Sequence, residues 1–586
     1  MNNTIKKKYV VEYYNLKTQN IIFKIILEYF PDVKEWYSKY MTPYYSSVSS
    51  GEITKEQIPD EQISSELKSH IEHLSDASIF FDLISNIVDD SITIVAENRY
   101  VDREYRDSYY MHYSEEHKEK SRWCQRLLLF SGNHESELNS KSVISDSDIK
   151  ILNNDFIGSI VIKPLHKCSI GRTLLSPNHF KHLHNTYIRK SRYNINYREL
   201  QLSVEAFPFR MRDDTTTSCA EVTLLNIFDY YSSKYNDYRC LMPSEIHSLV
   251  RRRNNDRTVP TKGLNYTIIS KVLHESGFSP KLHSRFDPED YTITSIQKGI
   301  SAYGLEKPSS LFGYYVESGM PVGIGFHIGS LKLGHSVLCI GHAQCNPINS
   351  ETAKPLLSKE LFEKSVRSSS NQKNEIYAID TNWLRTCYII QDDASKPYSF
   401  MKKNNDDKFK IESNENELEI GSVVVPLHRR MYMDARDAVL MFRQIIYDTI
   451  TLSDKDFNIP HSLISCGTSQ LDPLIYRIFL ASSGHYRAFR IKHIKTEEEF
   501  DIYSNLEMPH FVWVCELYNL QSYNNSDPFP FGEIVLDATV PKINYDSLII
   551  KTYNNFVKVT GYDPFVLKKP ISLSSYSSNL DAIKPK

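Results

Sequence analysis

Cysteine, histidine and aspartate follow one another in this chain in an order that suits nucleophilic catalysis. Cys219 lies at the start of a helical pattern, His335 opens a strand pattern, and Asp392 follows a later strand pattern. A histidine beside a cysteine takes the thiol proton, and the imidazolium then stabilises the thiolate and later protonates the leaving group. A third group must hold the other ring nitrogen of the histidine. We therefore take these residues as the candidate nucleophile, base and orienting group.

More than one aspartate is a candidate for the orienting group. Asp392 comes directly after the apolar run 388–391, which predicts a position at a strand end facing the cleft. Asp393 is the close alternative, with the opposite side-chain direction if the strand continues. Asp380 follows the run 376–379 and ranks third, because the chain after it reads as a loop.

The helix that carries the cysteine is predicted to begin at Cys219 itself. Ser218 is a plausible N-cap, and Glu221 three residues later completes a capping box. Unpaired backbone N–H groups and the positive end of the helix dipole favour a thiolate at this position. The competing interpretation is a small buried cysteine at an ordinary helix start. The apolar face of this helix is predicted to consist of Ala220, Leu224, Ile227, Phe228 and Tyr231.

The segments around the candidates alternate between helical and strand patterns. Gly277, followed by Pro280, is a C-cap signal at the end of one helix. Helices are predicted over 243–250, 264–276 and 311–317, and strands over 321–327, 334–342, 375–379 and 387–391.

These elements together resemble the papain-like cysteine peptidase superfamily. The resemblance rests on the cysteine at a helix start, the segment 318–322 leading into a strand, the strand-opening pair Gly334–His335, and the acidic residue after a later strand. The chain is most similar to the bacterial branch that includes the leader-cleaving peptidases of bacteriocin exporters, over about residues 200–400. This resemblance implies an α+β fold with a papain-like core and a Cys-His-Asp triad. It also implies a peptidase or isopeptidase that acts on a protein or peptide through a thioester, without a cofactor.

One departure from the superfamily concerns the oxyanion. A glutamine usually stands about six residues before the cysteine, but this chain has Met211–Asp214 there, with two aspartates and no glutamine. An ionised carboxylate cannot donate to an oxyanion and would repel it. Two alternatives therefore stay open: an acyl or amide transferase on the same fold, and a catalytically inactive papain-like scaffold for protein binding. The candidate oxyanion donors are the Cys219 backbone N–H, Thr215, Thr216 and Arg212.

No metal or cofactor site is predicted. Alternate residues of a strand point to opposite faces, so on the strand 335–342 His335 faces with Cys339 and away from His342. The glycine-rich run 323–329 lacks the strand, turn and helix context of a dinucleotide fingerprint. The potential metal ligands that crowd this region are His327, His335, Cys339, His342 and Cys345.

Composition narrows the class of protein. The 586 residues are 41% hydrophobic and 24% charged, with a formal net charge of −3, which gives no general attraction to nucleic acid or to an anionic membrane. The nine cysteines include no C-x-x-C pair, so neither a zinc ribbon nor a disulfide scaffold is indicated. No apolar run approaches the length of a membrane span. We expect a soluble bacterial protein in the cytoplasm, of open oligomeric state.

The length predicts several domains. The turn-like segment 170–173 contains Arg172, which we expect to brace a carboxylate or a carbonyl. The predicted parts are a mainly helical N-terminal domain over 1–122, with helical patterns at 21–37, 63–88 and 99–122; a strand-rich segment over 123–205 that packs on the core; a papain-like core over 206–400; a charged loop or linker over 401–420; and a mixed α/β C-terminal domain over 421–586.

Overall fold

The chain folds as an α+β protein built on three main β-sheets. None of the helices in the described ranges combines the length and apolar character needed to cross a bilayer. The computed structural model describes residues 11–15, 75–87, 91–117, 119–134, 137–138, 145–165, 167–198, 200–251, 258–284, 307–328, 333–344, 348, 354–355, 376–404, 407–451, 471–541 and 545–584.

The N-terminal part is a five-stranded antiparallel sheet in the order β1-β2-β3-β4-β5, with a hairpin of β7 and β8 packed on one face. The strands are β1 Val11–Asn15, β2 Ile92–Tyr100, β3 Cys124–Ser131, β4 Phe156–Ile162, β5 Ile170–Leu175, β6 Thr186–Ile188, β7 Ser191–Tyr197 and β8 Leu200–Ala206, and the helices are α1 Ser75–Ser85, α2 Arg103–Met111 and α3 Asp146–Asn154.

This part differs from the mainly helical prediction. Helix is confirmed at α1 and α2, but β1 and β2 supply two strands of the sheet, and the pattern at 21–37 lies outside the described residues. The run Ile92–Val95 is rich in β-branched residues, whose stiff side chains pack well in a strand. Residues 170–173 are also strand rather than turn, and Arg172 pairs with Asp229 at 2.7 Å as expected of a structural arginine.

The central part is a closed antiparallel barrel. Strand β10 pairs with both β11 and β17, which closes the path β10-β17-β16-β15-β14-β11 into a ring; β6 and β24 extend it from β11, and β9 pairs with β17. The elements are α4 Cys219–Lys234, α5 Pro243–Arg251, α6 Tyr266–Glu275, β9 Lys281–Ser284, α7 Pro308–Glu317, β10 Val322–Ile328, β11 Leu333–Ala343, β12 Lys354–Pro355, β13 Tyr377–Asp380, β14 Cys387–Gln391, β15 Ser399–Lys403, β16 Phe409–Ile411 and β17 Asn414–Val425.

The segment 401–420 is not the charged loop or linker that its composition predicts. Most of it lies in β15, β16 and β17 of the barrel. Phe409, Ile411, Leu418 and Ile420 are buried there, whereas Lys410 is exposed. The density of charge therefore reflects the outer face of strands with period-two alternation, and the barrel continues beyond the predicted boundary at residue 400.

The C-terminal part is a sheet in the order β12-β13-β18-β19-β20-β21-β22-β23. Strand β13, which the sequence assigns to the core, pairs in parallel with β18 of this sheet. The remaining elements are α8 Ala435–Thr451, β18 Leu474–Ser482, α9 Ser483–His493, α10 Glu497–Asn505, β19 Phe511–Tyr518, α11 Leu520–Tyr523, β20 Gly532–Asp537, β21 Leu548–Tyr553, β22 Phe556–Val559, β23 Phe565–Val566 and β24 Asp581–Ile583.

One hydrophobic core joins α4 to the outside of the barrel. Leu224 and Ile227 of α4 share this core with Leu338 and Ile340 of β11 and with Ile389 of β14. Residues of opposite parity on β11, such as Val337, face the barrel interior. Burial of α4 on this surface brings its N-terminus to the end of the barrel where β11 begins.

Candidate active site

Helix α4 begins at Cys219, as its sequence signals predict. Ser218 is the N-cap, and the Glu221 carboxylate accepts a hydrogen bond from the Ser218 backbone N–H at 3.1 Å. Thr261 donates to the other oxygen of Glu221 at 2.6 Å, which ties the loop before α6 to the same helix end. Helix geometry leaves the Cys219 backbone N–H without an intrahelical acceptor. The Cys219 side chain is half-buried at this helix end.

His335 lies near the start of β11, opposite Phe326 of β10. Its Nε2 is 2.8 Å from Oδ1 of Asp392. The Cys219 thiol lies close enough to the ring to raise the pKa of the imidazole, and Nδ1 is the ring nitrogen that Asp392 leaves free. The structure thus brings Cys219, His335 and Asp392 together in the order that a cysteine nucleophile requires.

The charge state of His335 follows from these contacts. Burial alone would lower the pKa of the imidazole. The hydrogen bond with Asp392, the nearby Cys219 thiol and the charges of Asp392 and Asp393 outweigh burial and raise the pKa of His335 to about 10. The ring therefore carries a proton across the neutral range.

Asp392 is fully buried directly after β14. Besides His335, it accepts hydrogen bonds from the Ala394 backbone N–H at 3.1 Å and from the Ser413 hydroxyl. Burial would raise the pKa of Asp392, but the hydrogen bond and charge of His335, followed by the bonds from Ser413 and Ala394, lower it. Asp392 therefore remains a carboxylate in a fixed orientation.

Asp393 lies beside the same histidine but contacts it less closely. Its Oδ1 is 3.9 Å from His335 Nε2 and has no hydrogen-bond partner among the described residues, and its Oδ2 is 3.4 Å from Arg212 Nη1. Burial raises the pKa of Asp393 to about 6, against the opposing charges of His335 and Arg212. Of the two neighbouring carboxylates, Asp392 therefore has the geometry of the orienting group.

Asp380 is not part of this group. It ends β13 in the C-terminal sheet, where it accepts hydrogen bonds from the Tyr314 hydroxyl at 2.5 Å and the Asn382 backbone N–H at 2.9 Å. The parallel pairing of β13 with β18 takes this strand out of the barrel.

The loop before α4 is organised by Asp213. One carboxylate oxygen accepts from the backbone N–H groups of Thr215, Thr216 and Thr217 at 3.0, 2.7 and 2.7 Å. The other accepts from Tyr113 at 2.9 Å and from the Thr216 hydroxyl. The charge at the expected glutamine position is thus bound inside its own loop, and Asp213 is a structural residue.

The predicted oxyanion donors differ in availability. The Thr216 hydroxyl is bound to Asp213, and the Thr215 side chain lies close enough to Tyr113 to lower the pKa of that phenol. Arg212 is close enough to Cys219 for the thiol to raise the pKa of its guanidinium, although Asp393 contributes more. It also pairs with Asp214 at 2.7 Å. Of the four predicted donors, the Cys219 backbone N–H and Arg212 therefore remain available to an oxyanion.

Several contacts of the site have no signal in the sequence. Ser413 lies in the turn between β16 and β17 and reaches Asp392 from 21 residues away. The Thr223 hydroxyl donates to the Cys219 carbonyl at 2.8 Å and accepts a 3.0 Å hydrogen bond from Ser336. The pairing of β14, β15 and β16 brings Ser413 to Asp392, and the packing of α4 on β11 brings Thr223 to Ser336.

Although the sequence predicts no metal site, one group of possible metal ligands lies close together in the described part of the chain. His335, Asp392 and Asp393 offer nitrogen and oxygen atoms within 4.8 Å of one another. His335 Nε2 is hydrogen-bonded to Asp392, so a cation between them would have to replace that bond. His342 lies elsewhere, 2.9 Å from Glu317, while the side chain of His327 and all of Cys345 lie outside the described residues.

No family model, curated protein or solved structure matches the chain at a significant level. The case for a function therefore rests on the residues of the site and their geometry.

Removal of the Asp213 carboxylate is expected to destabilise the protein. In Asp213→Ala, three backbone N–H groups lose a charged acceptor, and we expect the free energy of unfolding to fall by about 2–4 kcal/mol. Lys163 and hydrogen bonds from Thr216, Thr217 and Tyr113 lower the pKa of Asp213 against the effect of burial. The stabilisation should therefore be present above the ordinary value of 3.8 and be lost as the pH falls through the lower folded value.

Chemical denaturation at neutral and acidic pH measures this difference. Asp214→Asn is the matched control, because Asp214 is exposed, has a positive φ of 56° and is replaced by a residue that tolerates this conformation. Equal stability of Asp213→Ala and the wild type would contradict the role of Asp213 in the loop.

Proposed function

We propose that the protein is a cysteine hydrolase with a papain-like core, which cleaves a peptide or isopeptide bond through a thioester on Cys219. The observation that carries the proposal is the position of His335 between Cys219 and Asp392, with a 2.8 Å hydrogen bond to the carboxylate. A half-buried imidazole between a carboxylate and a half-buried thiol at a helix start has the geometry of an activated nucleophile.

The proposed reaction begins with attack of the Cys219 sulfur on a carbonyl carbon. The new C–S bond moves the carbonyl electron pair onto oxygen, and the oxyanion then expels the amine, which takes the proton of the His335 imidazolium. A water molecule attacks the thioester with His335 as base, which releases the acid and restores the thiol. Asp392 keeps the ring oriented throughout, since its own bonds to Ser413 and Ala394 fix its position.

An acyl or amide transferase would share every step up to the thioester. The two reactions differ only in whether water or an amine attacks this intermediate. Product analysis with and without an added primary amine separates them, because transfer gives an amide of the added amine and hydrolysis gives a free carboxylate.

Comparison of protein termini in cells expressing wild type or Cys219→Ala tests the proposal. We expect new termini, or new free lysine side chains for an isopeptidase, in cells with the wild type and not in cells with Cys219→Ala. Cys240→Ala is the matched control, because Cys240 is also half-buried but contacts the Leu241 carbonyl away from His335. It should give the wild-type pattern.

Two results would overturn the proposal. The same termini with Cys219→Ala would show that Cys219 is not the nucleophile, and an absence of changed products in all variants would favour the inactive scaffold. Cleavage that survives Cys219→Ala and is abolished by a chelator would instead favour a cation held by His335, Asp392 and Asp393. The Oδ1 atom of Asp393 could bind such a cation, because it has no hydrogen bond to a described residue.

A further inference from the structure

A tyrosine of α6 lies next to the candidate nucleophile without an assigned role. Tyr266 is the first residue of α6, directly after the N-cap Asn265. Its ring lies on β10 at Gly325, where a β-carbon would be only 2.0 Å from the ring and 2.3 Å from the hydroxyl oxygen. Any side chain at position 325 would therefore displace Tyr266, so glycine is required for this close approach.

The Tyr266 hydroxyl is buried and has no hydrogen-bond partner of regular geometry within the described part of the chain. Gly325 is paired in register with Ser336, the residue after His335. The Ser336 hydroxyl donates to Thr223, whose own proton goes to the Cys219 carbonyl, and it lies close enough to Tyr266 to lower the pKa of the phenol without a hydrogen bond of regular geometry. A buried hydroxyl without an acceptor is unfavourable unless a ligand or a reaction intermediate supplies one.

Tyr266 is also held at a fixed distance from the start of α4. The loop before α6 is tied to the loop before Cys219 by a hydrogen bond from the Thr261 backbone N–H to the Thr215 carbonyl at 2.9 Å, and to α4 by the bond from Thr261 to Glu221. Burial raises the pKa of the Tyr266 phenol, and the nearby Cys219 raises it further, against the opposing Ser336. The phenol therefore keeps its proton and is available as a neutral donor near the thiol.

We infer that Tyr266 donates a hydrogen bond to the oxyanion that forms when Cys219 attacks a carbonyl, in the role that a glutamine side chain would otherwise fill. The inference rests on the proposed function. The Cys219 backbone N–H is the second donor, and the phenol keeps its proton throughout. The carbonyl electron pair is on oxygen in the intermediate and re-forms the C=O double bond when the leaving group departs.

The substitution Tyr266→Phe tests this inference, because it removes one oxygen and leaves the ring on Gly325. Two reagents separate oxyanion stabilisation from thiol reactivity. Acylation by p-nitrophenyl acetate passes through an oxyanion, whereas alkylation by iodoacetamide displaces iodide without forming one. We expect acylation of Cys219 to slow by about 10²-fold, the loss that follows removal of one oxyanion donor, while alkylation of Cys219 keeps its wild-type rate.

Tyr193→Phe is the matched control, because Tyr193 is buried in β7 and its hydroxyl likewise lacks a hydrogen-bond partner among the residues described. It should leave both rates unchanged. Wild-type acylation in Tyr266→Phe would overturn the inference, as would an equal loss of both rates, which would show an effect on the thiol or on folding. Failure of Cys219 to react preferentially in the wild type would overturn the proposed function itself.

Discussion

In the variant His335→Ala, we expect kcat/KM for a peptide containing the cleaved bond to fall by about 10⁴- to 10⁶-fold. The variant loses the proton acceptor for the Cys219 thiol and the acid for the leaving amine in one step. It also leaves Asp392 and Asp393 buried without the imidazolium between Asp392 and the thiol. The measurement is steady-state hydrolysis of a synthetic peptide identified from the new termini.

The matched control for this prediction is His342→Gln. His342 lies on the same strand, is buried and binds a carboxylate, that of Glu317 at 2.9 Å, but it lies beyond the register shift between Cys339 and Gly341, away from Cys219 and Asp392. Glutamine keeps a donor for Glu317, so this variant should retain wild-type activity. Equal losses in the two variants would mean that the strand, and not the His335 imidazole, is what the reaction requires.

In the variant Asp392→Asn, we expect kcat/KM to fall by about 10²- to 10⁴-fold. The amide keeps the shape of the side chain but loses the charge that stabilises the imidazolium, and it can present a donor to Nε2 where an acceptor is needed. Asp393→Asn should have a smaller effect, because Asp393 is 3.9 Å from Nε2 and Asp392 is 2.8 Å from it. A larger loss in Asp393→Asn would reverse the assignment of the two residues.

The pH profile provides a second readout for Asp392→Asn. The raised pKa of His335, about 10, predicts that amide hydrolysis by the wild type persists into alkaline solution and declines as the imidazolium loses its proton near that pH. The hydrogen bond with Asp392 is the largest of the effects that raise this pKa, so its weakening should move the alkaline limb to lower pH. An unchanged limb would mean that another group controls it.

The central features of the site could be predicted because each has a local signal. The capping box marks the start of α4 at Cys219, the apolar run with His335 marks β11, and the run before Asp392 marks β14. Each of these signals lies within a few residues of the functional side chain. Local sequence therefore suffices to select Cys219, His335 and Asp392 as candidates.

The features that could not be predicted depend on contacts between distant segments. The barrel closes through the pairing of β10 with β17, about a hundred residues later in the chain. The charged residues of β17 concealed this strand because its outer face is solvated, and Ser413 was missed with it. The sequence marks Tyr266 only as part of a helix, because its approach to Gly325 depends on the folded chain.

The role of Asp213 shows a different limit. A carboxylate near the expected oxyanion position predicts repulsion, and this expectation assumes that the side chain faces the reacting carbonyl. In the structure it accepts hydrogen bonds from three backbone N–H groups of its own loop. A short polar side chain often binds nearby backbone groups in this way, and sequence spacing alone does not show which partner it takes.

The most direct test of the account is the rate at which each of the nine cysteines reacts with limiting iodoacetamide, followed by mass spectrometry in wild type and His335→Ala. Burial raises the pKa of the half-buried Cys168 and Cys240 to about 11, so little thiolate forms at either position. The account predicts that Cys219 reacts first in the wild type and that His335→Ala slows its reaction selectively. Reaction of Cys219 no faster than these bystanders, or at the same rate without His335, would contradict it.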